Sequence, residues 1–175
     1  DDEVSKLNVT FNDVAHIDFK VHVLKNKISV ELLDFAPMYS DDDANIYQNL
    51  KNNQNNIVIK KHQIVEVKKD KDGSVNEVQL TKNWHDWIDY WSIDFDYERR
   101  PEIVKFLTND NKIEEEWTGN YIFENEWQAF RSSVNNSILE LKSSDKELQS
   151  SSTKIAVKVV DIFGNDTMKV IEVKI

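Results

Sequence analysis

Apolar and polar residues alternate one by one along several parts of this chain, the period of a β-strand with one buried side. The strongest instance is Trp84–Tyr97 (WHDWIDYWSIDFDY). Here Trp87, Trp91, Ile93 and Phe95 share one parity, while Tyr90, Ser92, Asp94 and Asp96 share the other. So many aromatics bury a large apolar area per residue, which predicts a central strand with Trp91 in the core. Ile17–Val23 alternates in the same way, as does Ile28–Leu33, with Asn26-Lys27 as the hairpin turn between them. Pro37 is expected to end the second strand or bend the loop after it. Ile57–Lys69 reads as one long strand with Ile57, Ile59, Val65 and Val67 on one parity, and Val75–Leu80 as its return partner across the turn Asp70-Lys71-Asp72-Gly73. At the end of the chain, Ile155, Val157 and Val159 face one way, and Ile171, Val173 and Ile175 pair with them across a turn at Gly164.

The remaining segments predict little helix. Acids ahead of Ile46, Tyr47 and Leu50 suggest a short helix over Asp42–Lys51. Pro101 suits the first turn of a second one, running to Leu107. Asn109–Glu116 reads as an acidic loop, Ser132–Ser137 as a loop, Ser137–Leu141 as a short strand and Ser143–Ser152 as an exposed flexible segment. Several strands with few helices predict a mainly β chain built as a β-sandwich. A boundary near Lys82-Asn83 divides it into β-hairpins with one short helix (1–82) and the sandwich (83–175).

Composition sharpens this picture. Of 175 residues, 39% are hydrophobic and 31% charged, the balance of a folded, soluble chain. No apolar run approaches the roughly 18 residues a membrane helix needs, so no membrane contact is expected. The opening Asp1-Asp2-Glu3 suggests a segment of something longer. Cysteine is absent, which fits a cytoplasmic protein and excludes thiolate metal sites. The net charge of −10 disfavours nucleic-acid binding by the surface as a whole.

Three groups could carry chemistry. Lys60, Lys61, Lys68, Lys69 and Lys71 form the one dense basic run. The plain reading is a solvated strand whose lysines discourage edge pairing; the sharper one is a weak phosphate-binding stripe diluted by Glu66, Asp70 and Asp72. Asp94 and Asp96 leave one strand face together, a geometry open to a divalent cation or acid–base work but equally to a solvated edge. His16, His22, His62 and His85 show no metal-ligand spacing, and His85 among Trp84, Asp86 and Trp87 is expected to be partly buried. Gly-rich phosphate loops, HExxH and GxSxG are all missing, so no catalytic residue and no cofactor seat are expected in this segment.

Tyr90–Tyr97 (YWSIDFDY) and Lys154–Ile175 (KIAVKVVDIFGNDTMKVIEVKI) resemble the matching strands of polycystic-kidney-disease-type Ig-like sandwiches. The glycine those domains carry after the equivalent of Phe95 is absent, and a long insertion separates the two stretches. DYWSIDFDY, ENEWQAFR and VKVVDIFGNDTMKVIEV are similar to the C-terminal region of bacterial adenine-specific DNA methyltransferases of type III-like restriction-modification systems. That family's DPP[YFW] and FxGxG marks do not occur here. The resemblance therefore implies a non-catalytic tail, with S-adenosylmethionine chemistry in an upstream part and DNA or a restriction-modification partner subunit as what the tail positions. An extracellular Ig-like adhesion or spacer module is the alternative from a different class.

Overall fold

A computed structural model describes residues 15–42, 49–131, 138–148 and 150–174. The chain is mainly β, with twelve strands among these residues and antiparallel pairing throughout. The helical pieces among them are two 3-10 turns, Trp84–Trp87 and Tyr97–Arg99.

β1 (Ala15–Leu24) and β2 (Lys27–Pro37) form the first hairpin. Its turn is Lys25-Asn26, one residue earlier than expected, and Lys25 takes the left-handed conformation with φ 56°. Alternation behaves as read: Ile17 is buried while His16, Asp18 and Lys20 are exposed. β2 ends at Pro37.

The other edge of β2 is covered by a part of the chain expected to lie free. The Leu32 N–H donates to the Leu141 carbonyl at 2.8 Å, the Ser143 N–H to the Val30 carbonyl at 2.8 Å, and the Val30 N–H to Ser143 Oγ at 2.9 Å. β10 (Lys146–Glu147) continues the pairing against Ile28 and Lys27. The expected strand over Ser137–Leu141 is thus irregular from residue 138 to 141. Residues 143–148 are held against the first hairpin rather than loose, with Ser143 buried and residues 144–147 exposed as expected. A buried edge such as Val30 needs partners for its backbone groups, and this segment supplies them.

Opposite lies a four-stranded sheet in the order β12 (Asp166–Lys174), β11 (Ser152–Asp161), β6 (Ile88–Asp94), β9 (Trp127–Phe130). The two sheets share one core, in which Ile28, Val30, Leu32 and Phe35 meet Trp91, Ile93, Ile155 and Val157. The expected boundary at residue 82 is therefore corrected. β1 and β2 supply one wall of the sandwich, so the sandwich does not begin at residue 83.

β3 (Gln54–Lys60), β4 (Gln63–Lys69) and β5 (Val75–Gln79) form a third sheet. The expected single strand Ile57–Lys69 is a tight hairpin instead. Lys61 and His62 both take positive φ, 52° and 56°, as a two-residue turn requires. The Asp41 carboxylate accepts the N–H of each at 2.8 Å. The turn inverts the parity: Val58 pairs with Val65, both buried, while Ile57 is left exposed. Leu50, Val58, Val65 and Val67 make a small second core, and Ile64 reaches the main one.

β7 (Pro101–Leu107) and β8 (Ile113–Tyr121) pair as a ribbon where a helix and a loop were expected. Ile103, Val104 and Phe106 favour extended backbone, and a proline at the first strand position forfeits no ladder bond. Thr108–Lys112 closes the ribbon, with Asn111 at φ 58° and Thr108 N–H bonded to the Lys112 carbonyl at 2.8 Å. The expected helix over Asp42–Lys51 falls mainly on residues 43–48 and the expected loop Ser132–Ser137 on 132–137, both outside the described residues.

Candidate functional site

The five lysines do not converge. Lys60 and Lys61 sit at the β3–β4 turn, whereas Lys68, Lys69 and Lys71 lie at the far end of β4. Seven residues of strand separate the groups by roughly 20 Å. Three of the five ammonium groups are engaged. Lys60 Nζ donates to both Glu77 oxygens at 2.7 and 2.8 Å, Lys68 pairs with Asp70 at 3.3 Å, and Lys69 Nζ donates to the Leu50 carbonyl at 3.2 Å.

Asp94 and Asp96 also part company. Asp94 is buried and Asp96 exposed. The segment Ile122–Glu126 crosses the outer face of β6, and Lys158 Nζ lies 4.3 Å from the centre of the Phe123 ring. Asp94 Oδ2 accepts the Glu124 N–H at 2.8 Å, and its Oδ1 accepts the Asp96 N–H at 3.0 Å. Burial pushes the Asp94 carboxyl above its usual range against those two donors, and the charges of Glu126 and Glu124 push it the same way. Both oxygens are thus occupied, Oδ2 in pinning the crossing segment to the sheet and Oδ1 in shaping the chain just after β6. Among the described residues no cluster of three or more acidic or histidine side chains is placed to hold a metal ion. His22 Nε2 lies 2.7 Å from Glu31 Oε2, and His85 lies half-buried edge-on to Trp84.

A cleft of about 600 Å³ opens between the end of β2, the β3–β4 turn and the first 3-10 turn, with Met38, Tyr39, His62, Lys82, Trp84 and Trp87 among its walls. Tyr39 stacks on Trp87 with ring centres 5.9 Å apart. Its hydroxyl donates to Asp161 and accepts from Asn165 Nδ2. Burial and the Asp161 hydrogen bond push the Tyr39 hydroxyl up to about 12. It stays neutral at ordinary pH and fastens the chain after β2 to the β11–β12 turn.

The feature that reading by parity missed is the β7–β8 ribbon. Every residue of β7 is exposed, as is every residue of β8 except Tyr121. The register places Ile103, Lys105, Leu107, Ile113, Glu115 and Trp117 on one face and Val104, Phe106, Glu114 and Glu116 on the other. Lys105 and Glu115 pair at 2.6 Å in the middle of the first face. On the second, Val104 stands opposite Glu116 and Phe106 opposite Glu114, and Thr118 Oγ1 donates to Glu102 at 2.8 Å. The root is fixed to the body. Tyr97 packs against Tyr121 with ring centres 5.7 Å apart, the Ile122 N–H bonds the Arg100 carbonyl at 2.8 Å, and Arg100 pairs with Glu124. The run Ile103-Val104-Lys105-Phe106-Leu107 was the available signal, masked by the proline before it.

No protein-family model, curated protein or solved structure matches the chain.

Proposed function

We propose that this chain is a non-catalytic accessory domain from the C-terminal side of a cytoplasmic adenine-specific DNA methyltransferase, where it positions DNA or a partner subunit. One spatial observation carries the reading. DYWSIDFDY covers all of β6 but its first residue, ENEWQAFR holds β9, and VKVVDIFGNDTMKVIEV takes in the second half of β11 and nearly all of β12; these are the four neighbouring strands of one sheet. Packing in one layer is what a shared scaffold would require of these stretches. A sheet argues a shared scaffold and leaves the chemistry to the part that would bind S-adenosylmethionine upstream.

DNA contact on this reading is slight. The lysines neutralise two or three phosphates at most, which gives weak, salt-sensitive, sequence-independent affinity no better than about 10⁻⁴ to 10⁻⁶ M. Two measurements test the proposal together. Calorimetric titration of the chain with S-adenosylmethionine is expected to show no binding, and micromolar binding overturns the non-catalytic assignment. In the full reading frame, DPP[YFW] and FxGxG motifs are expected upstream; a signal peptide followed by tandem sandwich repeats overturns the methyltransferase assignment in favour of an extracellular spacer.

A further inference from the structure

The β7–β8 ribbon leaves apolar side chains bare on both faces: Ile103, Val104 and Phe106 are 45%, 44% and 43% exposed, and Leu107, Ile113 and Trp117 are 65%, 71% and 50%. A lone two-stranded hairpin is marginal in water, and folded proteins rarely leave a contiguous apolar surface uncovered without a use for it. Charge narrows what covers it. The ribbon and its turn carry Glu102, Asp110, Glu114, Glu115 and Glu116 against Lys105 and Lys112. Three of those carboxylates (Glu102, Glu114 and Glu116) share the face with Val104 and Phe106.

A phosphate backbone is repelled by that face. A second copy of the chain brings the same glutamates together on a molecule of net charge −10. An apolar row flanked by a row of carboxylates is complementary to an apolar stripe flanked by Lys or Arg.

We propose that the glutamate-lined face of the ribbon, Val104 and Phe106 with Glu102, Glu114 and Glu116, docks a basic, apolar-striped segment of a partner protein. The proposal extends the accessory reading by choosing protein over DNA, yet it rests on the ribbon alone and stands if the parent is no methyltransferase.

The test titrates the full chain into two labelled synthetic helical peptides, one of leucine and lysine and its leucine–glutamate counterpart, by fluorescence anisotropy at low and raised salt. The leucine–lysine peptide is expected to bind, more weakly as salt rises, and the leucine–glutamate peptide not to bind. Glu114→Gln with Glu116→Gln, and separately Val104→Ser with Phe106→Ser, are each expected to weaken binding about tenfold or more. The exposed pair Asp89→Asn with Asp166→Asn, off the ribbon, is expected to change it less than about twofold. Because every ribbon position substituted is exposed, unfolding curves for all variants should overlay the parent. Absence of leucine–lysine binding overturns the proposal. So does equal weakening by the Asp89 and Asp166 pair, which reduces the effect to overall charge. Light scattering that shows a dimer dissolved by Phe106→Ser assigns the face to a second copy instead. Duplex DNA binding lost with the ribbon substitutions assigns it to nucleic acid.

Discussion

Two side chains of β6 show how one strand can serve two ends. Trp91 is wholly buried between the sheets, stacks edge-on with Trp127 at 4.7 Å between ring centres, and donates its indole N–H to the Glu140 carbonyl at 2.7 Å. Trp91→Ala is expected to cost about 3–5 kcal/mol in urea unfolding, as large aromatic truncations do; a loss under about 1 kcal/mol would place the ring at the surface. Asp94, three residues on, behaves oppositely. Its carboxyl is raised by burial, so the native state holds the proton more tightly than the unfolded chain does. Ionisation therefore costs stability once the pH climbs through the folded value, and that cost disappears below the unfolded value of about 3.9. Asp94→Asn removes this titration. Stability of the parent relative to the variant is expected to rise as the pH falls from about 7 toward about 4. A difference flat in pH shows that the carboxyl does not feel its burial.

At the scale of elements, short turns decide more than long strands. The β3–β4 turn forces two non-glycine residues, Lys61 and His62, into the left-handed region, held there by Asp41. Backbone N–H donors from His62 and Lys61 lower the Asp41 carboxyl, so those bonds persist until the pH falls well into the acid range. A left-handed non-glycine residue costs roughly 1–2 kcal/mol, so His62→Gly is expected to stabilise the chain by about 1 kcal/mol in chemical denaturation. A loss of stability instead would mean the His62 side chain contributes more than its backbone costs. The ribbon is the opposite kind of element, attached at its root and exposed along its length. Replacing residues 103–119 with a short glycine–serine link is expected to lower Tm by about 4 °C or less. A much larger fall would show that the sandwich leans on the ribbon.

The whole molecule is organised by a core that draws on both ends of the chain. Ile17 and Ile28 come from the first strands, Ile155 and Val159 from the last ones, and Lys169 Nζ reaches the Ile17 carbonyl at 3.1 Å. A fragment of residues 83–175 lacks the β1–β2 wall and would expose the apolar face of β6 and β11. It is expected to show no cooperative thermal transition, whereas the intact chain does. A fragment melting sharply on its own would restore the division at residue 82. No helix among the described residues is long and apolar enough to cross a membrane.

What the order of residues determined by itself is the strand content and the side each strand buries wherever chain neighbours dictate it. Period-two alternation located β1, β2, β6, β11 and β12, and the Asp-Gly turn placed the β4–β5 hairpin, because these depend on side chains adjacent along one strand. Tertiary structure alone decided the rest. Ser92 and Asp94 sit on the parity read as polar and open, yet both are buried; Asp94 is held by a segment at Ile122–Glu126 that returns some thirty residues later. Val58 took the buried side expected of Ile57 because of a turn whose left-handed residues carry no glycine to announce it. Ser143, apparently in a free polar stretch, became the edge partner of β2, since a buried backbone edge takes whatever donors and acceptors the fold brings to it. Burial and pairing across more than a hundred residues are properties of the closed sandwich, and no local pattern encodes which strand will lie against which.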